Sequence, residues 1–343
     1  MQSEHRSQSD PAEQFALATR AAWLYHASGL TQAEIAERLG ISNAKAHRLI
    51  AHATHAGWVR VFVEGPIGGC VALEQALARE FGLRFCRVVP NEDASVLPLQ
   101  VLGVAGAAYL INILEKGDHR IIGVGHGRTL AAAVERLPRL PAPNVSFVSL
   151  LGTVARQSSA NPFEVIHRLA EKTGAESWML PVPFIVNSRS DRDIVLAQRG
   201  IAEAMQIAAG ATLCLVGIGE VAGDAFITAS GMISQEEVAE LLALGAVGEV
   251  LGHYLDADGR PVPTRLHDRI LSFPFEQLRA RDVIALAGGG SKPAAIRSVL
   301  RSGALSGLIT DQPTAQSLIN LEEPMAGATA GRNKHVREST RSL

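Results

Sequence analysis

Two glycine-rich segments of the chain lead into cationic side chains where a helix is predicted to begin. In the first, Gly125-His126-Gly127 precedes Arg128 and Thr129; in the second, Gly288-Gly289-Gly290-Ser291 precedes Lys292. Backbone N–H groups at a helix N-terminus, together with a guanidinium, hydroxyl or ammonium group, converge on anions such as phosphate. Since glycine turns are common, each segment alone is weak evidence, but these two, together with a third glycine turn, favour a site for a phosphate or a polyol.

A third turn and several polar residues are candidates for the same site. Gly217-Ile218-Gly219 has small residues that leave room for a ligand beside the backbone, and Gln157 and Asn161 are polar candidates. We interpret Asp256, in a polar turn, as a ligand contact, with an ordinary surface loop as the alternative. Asp311 ends an apolar run and is interpreted as a helix cap.

Short apolar runs alternate with helical segments from residue 84 onward, and these elements must position the three turns. The predicted strands are Phe85–Val89, Arg120–Val124, Val145–Leu150, Ser177–Leu180, Thr212–Ile218, Gly248–Leu251 and Val283–Leu286. The predicted helices are Val101–Leu114, Pro162–Thr173, Asp191–Ala208 and Pro293–Arg301. This alternation predicts a Rossmann-like α/β domain with a mainly parallel sheet, in which ligands bind at the carboxyl ends of strands.

Cofactor and metal sites are not predicted. The glycines of Gly123–Gly127 follow a G-x-G-x-G spacing rather than the dinucleotide fingerprint G-x-G-x-x-G, and no strand-end acid follows about twenty residues later. A nucleotide-binding oxidoreductase is therefore disfavoured. His126 has no partner at metal-ligand spacing, so we interpret it as a residue that lines the pocket.

Nearer the N-terminus, residues 30–42 predict the first half of a helix-turn-helix. Thr31 and Glu34 are spaced as a capping box, Gly40 is placed to end that helix, and Ser42 is placed to cap the next one. The second helix is predicted over Asn43–His52, with Ala46, Leu49 and Ile50 facing inward. An ordinary helical hairpin is the alternative interpretation.

Side chains on and beside this second helix have the chemistry to contact DNA. Amide, imidazole, ammonium and guanidinium groups bond to base edges and phosphates. The predicted DNA-binding residues are Thr31, Gln32, Ser42, Asn43, Lys45, His47 and Arg48. Residues 1–60 hold six Lys/Arg against five Asp/Glu, so one such module predicts only modest affinity, and tight operator binding needs several subunits.

The 343 residues, with 47% hydrophobic and 19% charged residues and a net charge of −2, predict about two domains. The expected units are a disordered lead (1–13), a helix-turn-helix domain with a wing (14–66), a linker helix (67–83), an effector-binding α/β domain (84–322) and a disordered tail (323–343). Neither a signal peptide nor a membrane helix is predicted. Three scattered cysteines, Cys70, Cys86 and Cys214, are typical of reduced thiols, so a cytoplasmic protein is expected.

Taken together, these stretches resemble the SorC family of bacterial sugar-responsive transcription regulators. The resemblance rests on Leu30–Ser42 with Arg48-Leu49, Gly57-Trp58-Val59, Gly125–Leu130, Leu180–Pro183, Val216–Gly219, Asp256–Gly259, Ala287–Gly289 with Lys292, and Leu308–Asp311. It implies an N-terminal helix-turn-helix and an effector domain similar to the glucosamine-6-phosphate deaminase and ribose-5-phosphate isomerase fold. It also implies a homotetramer that binds operator DNA and responds to a sugar, sugar phosphate or polyol.

This chain departs from the family pattern at two aromatic positions. His126 stands where an aromatic residue such as Trp is usual, and Trp58 replaces an aliphatic residue and is predicted to pack under the wing. The leading hypothesis is a regulator without catalysis. The alternative is a phosphosugar isomerase or deaminase with an accessory domain, for which Asp256, Glu220 and His126 are the acid/base candidates.

Overall fold

The computed structural model describes residues 11–59, 68–91, 97–153, 162–222 and 232–320. Within these ranges, no helix is long and apolar enough to cross a membrane. The expected disorder at residues 1–10 and 323–343, and the greater part of the expected wing, fall outside the described residues.

Three helices form the N-terminal unit: α1 (Pro11–His26), α2 (Gln32–Leu39) and α3 (Asn43–His55). Helix α1 begins at Pro11, so the predicted disordered lead extends three residues too far. Proline is tolerated at this position because the N–H groups of a helix's first turn have no intrahelical acceptor. The small residues Ala18, Ala21 and Ala46 pack with Ile35 and Ile50 in one apolar cluster. Their size lets α1 and α3 approach closely.

The remaining helices and strands form an α/β unit. Its strands are β1 (Phe85–Val89), β2 (Ile121–Val124), β3 (Ser146–Ser149), β4 (Glu176–Trp178), β5 (Leu213–Val216), β6 (Gly219–Glu220), β7 (Gly248–Val250), β8 (His253–Leu255), β9 (Asp282–Leu286) and β10 (Gly307–Asp311). Its helices are α4 (Gly68–Phe81), α5 (Leu99–Lys116), α6 (Arg128–Arg136), α7 (Pro162–Thr173), α8 (Arg189–Leu196), α9 (Arg199–Ala209), α10 (Gln235–Ala243), α11 (Phe275–Leu278), α12 (Pro293–Arg301) and α13 (Gln312–Asn320), with a 3₁₀ turn at Arg265–Asp268.

Seven of the strands form one parallel sheet in the order β1-β10-β9-β5-β2-β3-β4. Along β5, Leu213 and Leu215 pack in one apolar cluster while Cys214 and Val216 pack in another, so both faces of the sheet are covered. The predicted Rossmann-like architecture is confirmed. Since β9, β5 and β2 are neighbours, the three glycine turns that follow them meet at one edge.

A second, antiparallel sheet of β6, β7 and β8 stands at that edge. Strand β6 begins three residues after β5 ends, so this small sheet continues directly from the central turn. Its strands are only two or three residues long. Strands β6 and β8 are therefore too short to show an alternation of apolar and polar residues, and they were not predicted.

Three other boundaries differ from the sequence-based predictions. The helix predicted over Asp191–Ala208 is two helices, because Gln198 adopts an extended conformation between α8 and α9. Strand β10 was recognised only as an apolar run. After α3, where the wing of the predicted domain is expected, residues 57–59 have no strand structure, and residues 60–67 lie outside the described residues.

Helix α4 lies where a linker helix was predicted, and it packs on the α/β unit. Leu77 is fully buried, and the Glu74 carboxylate accepts a hydrogen bond from the backbone N–H of Val88 in β1 at 2.9 Å. Through these contacts α4 adds a packed layer beside β1.

Candidate functional site

The turn Gly217-Ile218-Gly219, after β5, is the centre of the strand-end site. Each of its residues meets one group from another loop. A β-carbon added at Gly217 would lie 2.7 Å from the carbonyl oxygen of His126, and one added at Gly219 would collide with the Glu249 carboxylate. The Ile218 carbonyl accepts a hydrogen bond from Lys292 Nζ at 2.6 Å. The two glycines therefore allow a close approach that brings His126, Lys292 and Glu249 around one short segment.

Lys292 lies immediately before α12 and is partly buried. Burial lowers the pKa of its ammonium group; Glu220 opposes that shift, Arg128 adds to it, and Glu249 opposes it. Two carboxylates and a guanidinium thus act electrostatically on one ammonium. Lys292, Glu220, Arg128 and Glu249 therefore form one polar cluster, although they come from four separate segments of the chain.

Arg128 is the first residue of α6 and is exposed. Within the described part of the chain its guanidinium makes no hydrogen bond or ion pair, so it is available to an anion. The next residue, Thr129, is buried, and its hydroxyl donates to the Leu286 carbonyl at the end of β9 at 2.7 Å. The Thr129 side chain therefore fixes α6 against β9, and its hydroxyl proton is already used.

His126 lies between β2 and α6, with its ring edge-to-face against Phe184 at a centroid distance of 6.0 Å. Burial, with a smaller contribution from Lys292, lowers the pKa of the imidazole to about 4. The ring is therefore neutral near pH 7 and supplies hydrogen-bonding atoms without a charge.

Glu249, in β7, is a site residue that the sequence-based reasoning missed. It is 3% exposed, and its carboxylate accepts a hydrogen bond from the Gly252 backbone N–H. Burial raises its pKa to about 7, while the Gly252 hydrogen bond and Lys292 oppose the shift. The sequence does contain a signal for Glu249, since it is a carboxylate inside the apolar run from residue 246 to 251. Charged residues are almost never fully buried unless they are paired or belong to a functional site.

Asp311, at the end of β10, fixes the glycine segment after β9 by hydrogen bonding. The Gly289 N–H donates to the Asp311 carboxylate at 3.1 Å and to the Thr314 hydroxyl at 2.9 Å. A β-carbon at Gly288 would collide with the same carboxylate. The predicted cap residue also accepts a hydrogen bond from Thr314 in the first turn of α13 at 2.7 Å, so it joins this loop to α13.

Asp256 does not join this cluster. Its carboxylate accepts hydrogen bonds from the backbone N–H groups of Asp258 and Arg260 at 3.0 and 2.8 Å, inside its own turn. That turn packs against the last turn of α12, because a β-carbon at Gly259 would meet the backbone there. Ser298 of α12 donates to the Asp256 carbonyl at 2.6 Å, and Lys292 lies six residues earlier, roughly 9 Å along the helix axis. The interpretation of Asp256 as a ligand contact stays a prediction. Gln157 and Asn161 lie outside the described residues.

In the N-terminal unit, the predicted caps are confirmed. Thr31 and Glu34 form a capping box, Gly40 has a φ of 63° in the left-handed region, and Ser42 accepts a hydrogen bond from the Lys45 N–H at 3.2 Å. The turn between α2 and α3 is thereby fixed. This geometry orients the first turn of α3.

The candidate DNA contacts lie on the outer face of this unit. Asn43, Lys45, His47 and Arg48 are all exposed, whereas Ala46, Leu49 and Ile50 of the same helix are buried. Gln32 is half-buried near the start of α2. Trp58 is 39% exposed and lies between Phe15 and His52, at centroid distances of 4.6 and 5.1 Å. Its described contacts are with α1 and α3, and its predicted packing under a wing involves residues outside the described ranges.

A helix-turn-helix joined to an α/β unit with a polar strand-end site is the architecture of a ligand-responsive DNA-binding protein. Residues 65–320 match the sugar-binding domain family, and residues 25–61 match the IclR helix-turn-helix domain. The chain belongs to the SorC family of sugar-binding transcriptional regulators.

Similar proteins cover nearly the whole chain. The erythritol catabolism regulatory protein EryD of Brucella abortus is 48% identical over 88% of this chain and 96% of its own length. The deoxyribonucleoside regulator of Bacillus subtilis is 30% identical over 89% and 97%. The full-length sorbitol operon regulator SorC from Klebsiella pneumoniae has a TM-score of 0.67 and 26% identity over 90% of this chain and 100% of that one.

Proposed function

We propose that this protein regulates genes of carbohydrate or polyol catabolism, and that a sugar, sugar phosphate or polyol bound at the strand-end site controls its affinity for operator DNA. The observation that carries the proposal is the meeting of Arg128, Lys292 and Glu249 around the turn after β5. A guanidinium and an ammonium group suit an anion, and a carboxyl group suits hydroxyls. This combination suits a small hydroxylated ligand, with or without a phosphate group.

The most similar relative described above narrows the effector class. It is named for erythritol catabolism, so a four-carbon polyol or a compound derived from it is the first effector to test. The remaining proposed contacts are the backbone groups of Gly125, Gly127, Gly217, Gly219, Gly288 and Gly289, with the amide of Thr129. Gln157 and Asn161 are proposed to complete the site.

At the DNA, we propose that Asn43, Lys45, His47 and Arg48 contact bases and phosphates, with Thr31, Gln32 and Ser42 at the backbone. The protein is proposed to act as a homotetramer in the cytoplasm and to repress its target genes. Two recognition helices on one face of B-DNA must lie roughly 34 Å apart or a multiple of it. An effector that binds one arrangement of subunits more tightly would shift the population toward it and change that spacing.

One observation favours a second function, catalysis on a phosphosugar. Glu249 is a buried carboxyl with a pKa of about 7 beside Lys292, which suits a general acid or base. The relatives are named as regulators, and we therefore propose that the site binds without turnover. Conversion of a pentose or hexosamine phosphate by the purified protein would reverse this ranking.

The proposal is tested with a thermal-shift panel of sugars, polyols and their phosphates on the full-length protein. A ligand that binds only the folded state raises Tm according to its concentration and affinity. Ligands that shift Tm are then tested for their effect on binding to DNA selected by the protein from a random pool. A ligand that raises Tm and changes the affinity for DNA supports the proposal. A ligand that raises Tm and leaves the affinity for DNA unchanged contradicts the proposal that the effector controls DNA binding.

A further inference from the structure

The last twelve residues of the chain, 332–343, are strongly basic, and we call them the basic tail. They contain one acidic side chain, Glu338, against four cationic ones: Arg332, Lys334, Arg337 and Arg341. Since the net charge of the whole chain is −2 and that of the tail is +3, the other 331 residues together carry −5. The tail also lies beyond residue 320, where the matched sugar-binding domain ends. Its charge is therefore opposite in sign to that of the rest of the chain.

A positive segment of this kind suits a nucleic acid. Duplex DNA carries one negative charge per roughly 1.7 Å of helix axis, and each Lys or Arg that neutralises a phosphate releases condensed counterions. Basic segments at chain ends are a recurrent source of such contacts. The helix-turn-helix supplies few of them, because residues 1–60 hold six Lys/Arg against five Asp/Glu, and α3 exposes only Lys45 and Arg48. Tight binding therefore gains from phosphate contacts made by another segment.

Helix α13, which leads into the tail, lies along α4, the first helix after the helix-turn-helix unit. Where both helices begin, the Cys70 thiol donates to the Gln312 side-chain oxygen at 3.6 Å. Where both end, Arg297 donates to the Leu318 carbonyl at 2.6 Å and pairs with Glu80 at 3.2 Å. The two helices are therefore parallel. The chain leaves α13 beside the end of α4, roughly 20 Å from the start of that 14-residue helix.

The tail is long enough to span that distance. An extended chain covers at most about 3.3–3.6 Å per residue, so Arg332 can lie up to about 40 Å from Asn320, and Arg341 up to about 70 Å. Both distances exceed the length of α4. The tail cations can therefore reach the side of the molecule on which α4 follows the helix-turn-helix unit.

The two helices beside the origin of the tail offer it no unpaired carboxylate. The acidic residues of α4 are Glu74 and Glu80, which pair with Arg87 and Arg297 at 3.8 and 3.2 Å. Helix α13 has no acidic residue. Attachment of the tail to these helices is therefore disfavoured, and its cations remain available to DNA.

We infer that the basic tail is a second DNA-binding element, which contacts backbone phosphates beside the bases that α3 reads. This inference rests on the proposed binding of operator DNA by α3 and adds a contact to it. Phosphate contacts carry no sequence information directly. The tail therefore strengthens the binding of any duplex, while α3 selects the operator.

The test compares the unsubstituted full-length protein with a tail variant in which Arg332, Lys334, Arg337 and Arg341 are all replaced by Ala. Fluorescence anisotropy gives the affinity for DNA selected by the protein, and for an unrelated duplex, at rising NaCl concentrations. Each lost phosphate contact makes the slope of log affinity against log salt shallower by about 0.9, so we expect a change of about 2–4 for each subunit engaged. At low salt the affinity should fall by about tenfold or more for both duplexes alike.

The matched control removes one lysine and three arginines at exposed positions of the α/β unit, by the substitution to Ala of Lys116, Arg120, Arg139 and Arg199. It should keep the salt slope of the unsubstituted protein. An unchanged slope in the tail variant overturns the inference, and an equal change in both variants overturns it as an effect of general charge.

Two further outcomes separate the tail from the proposed function. A tail variant that binds DNA more tightly than the unsubstituted protein would show that the tail covers an acidic surface of its own chain, which also overturns the inference. An unsubstituted protein that binds no DNA would refute the proposed function, and the inference would fall with it.

Discussion

The polar side chains of α3 and those of the strand-end site differ in the partners that the folded chain gives them. Lys45 and Arg48 are exposed and make no side-chain hydrogen bond within the described residues. Lys292, in contrast, donates to the Ile218 carbonyl of another turn, and Glu249 accepts from the Gly252 N–H in the turn after β7. Groups of the first kind exchange water for phosphate or base edges without disturbing the fold, whereas groups of the second kind are held in position before any ligand arrives.

This difference separates two kinds of mutational effect. Removing an α3 side chain should change DNA binding and little else, because no protein group loses a partner. Removing a side chain of the strand-end site should change ligand binding and, in addition, leave buried polar groups unsatisfied, which costs stability. Substitutions in α3 and in the strand-end site therefore separate these two effects.

The largest effect is expected for Arg48→Ala. One lost base or phosphate contact costs about 1–3 kcal/mol, and an operator bound by two subunits loses it twice, so affinity should fall by about 30-fold or more. Fluorescence anisotropy with DNA selected by the protein measures this loss. The thermal shift caused by an effector should stay unchanged.

The control for this variant is Arg199→Ala, an exposed arginine at the start of α9. It should bind the selected DNA as the unsubstituted protein does. Equal loss of affinity in both variants would mean that general charge, and not the position of Arg48, governs DNA binding.

The next effect is expected for Lys292→Ala. A hydrogen bond from a charged group contributes about 1.5–3 kcal/mol, so effector affinity should fall by roughly 10- to 150-fold while DNA binding without effector is retained. Lys116→Ala, at the exposed end of α5, is the matched control. A Lys292→Ala protein that responds at the normal effector concentration would remove Lys292 from the site.

A pH-dependent effect is expected for Glu249→Gln. The Glu249 pKa rises from 4.5 to about 7 on folding. Between these pH values the unfolded chain has lost the proton that the folded chain keeps, so this group lowers the free energy of unfolding as pH rises, by about 3 kcal/mol at most. The Gln variant cannot ionise, and its Tm relative to the unsubstituted protein should therefore increase between pH 5 and pH 8. Parallel Tm curves would show that Glu249 is not shifted.

The smallest effect on ligand binding is expected for Asp256→Ala. The carboxylate caps two N–H groups within its own turn, so its loss should cost about 1 kcal/mol of stability by the usual worth of such bonds. Calorimetry should give an unchanged effector affinity. A drop of tenfold or more would restore Asp256 to the site and refute its separation from the cluster.

The same contrast explains how much the sequence could predict. The caps of α2 and α3 depend on residues three positions apart, so the capping roles of Thr31, Glu34 and Ser42 could be predicted from the sequence. The seven predicted strands lie in strongly apolar runs, and all were found to within a few residues. The meeting of the three glycine turns also followed, because parallel strands present their carboxyl ends at one edge of the sheet.

The partners of the site side chains could not be read in this way. Glu249 lies 43 positions before Lys292, and their proximity depends on the small antiparallel sheet, whose strands are too short to leave a pattern. Composition does not decide the role of Asp256, because a polar turn that binds its own backbone has the same composition as one that binds a ligand. Thr129 was recognised as a helix-opening hydroxyl, but its partner, Leu286, is 157 residues away.

The measurement that tests the central claim most directly is the affinity for selected DNA, by fluorescence anisotropy, at rising concentrations of a compound already shown to raise Tm. We expect the dissociation constant for DNA to change by about fivefold or more, the usual range of coupling between sites, and to stay constant in the Lys292→Ala protein. A compound that binds at the strand-end site and leaves DNA affinity unchanged would contradict the coupling of the two regions.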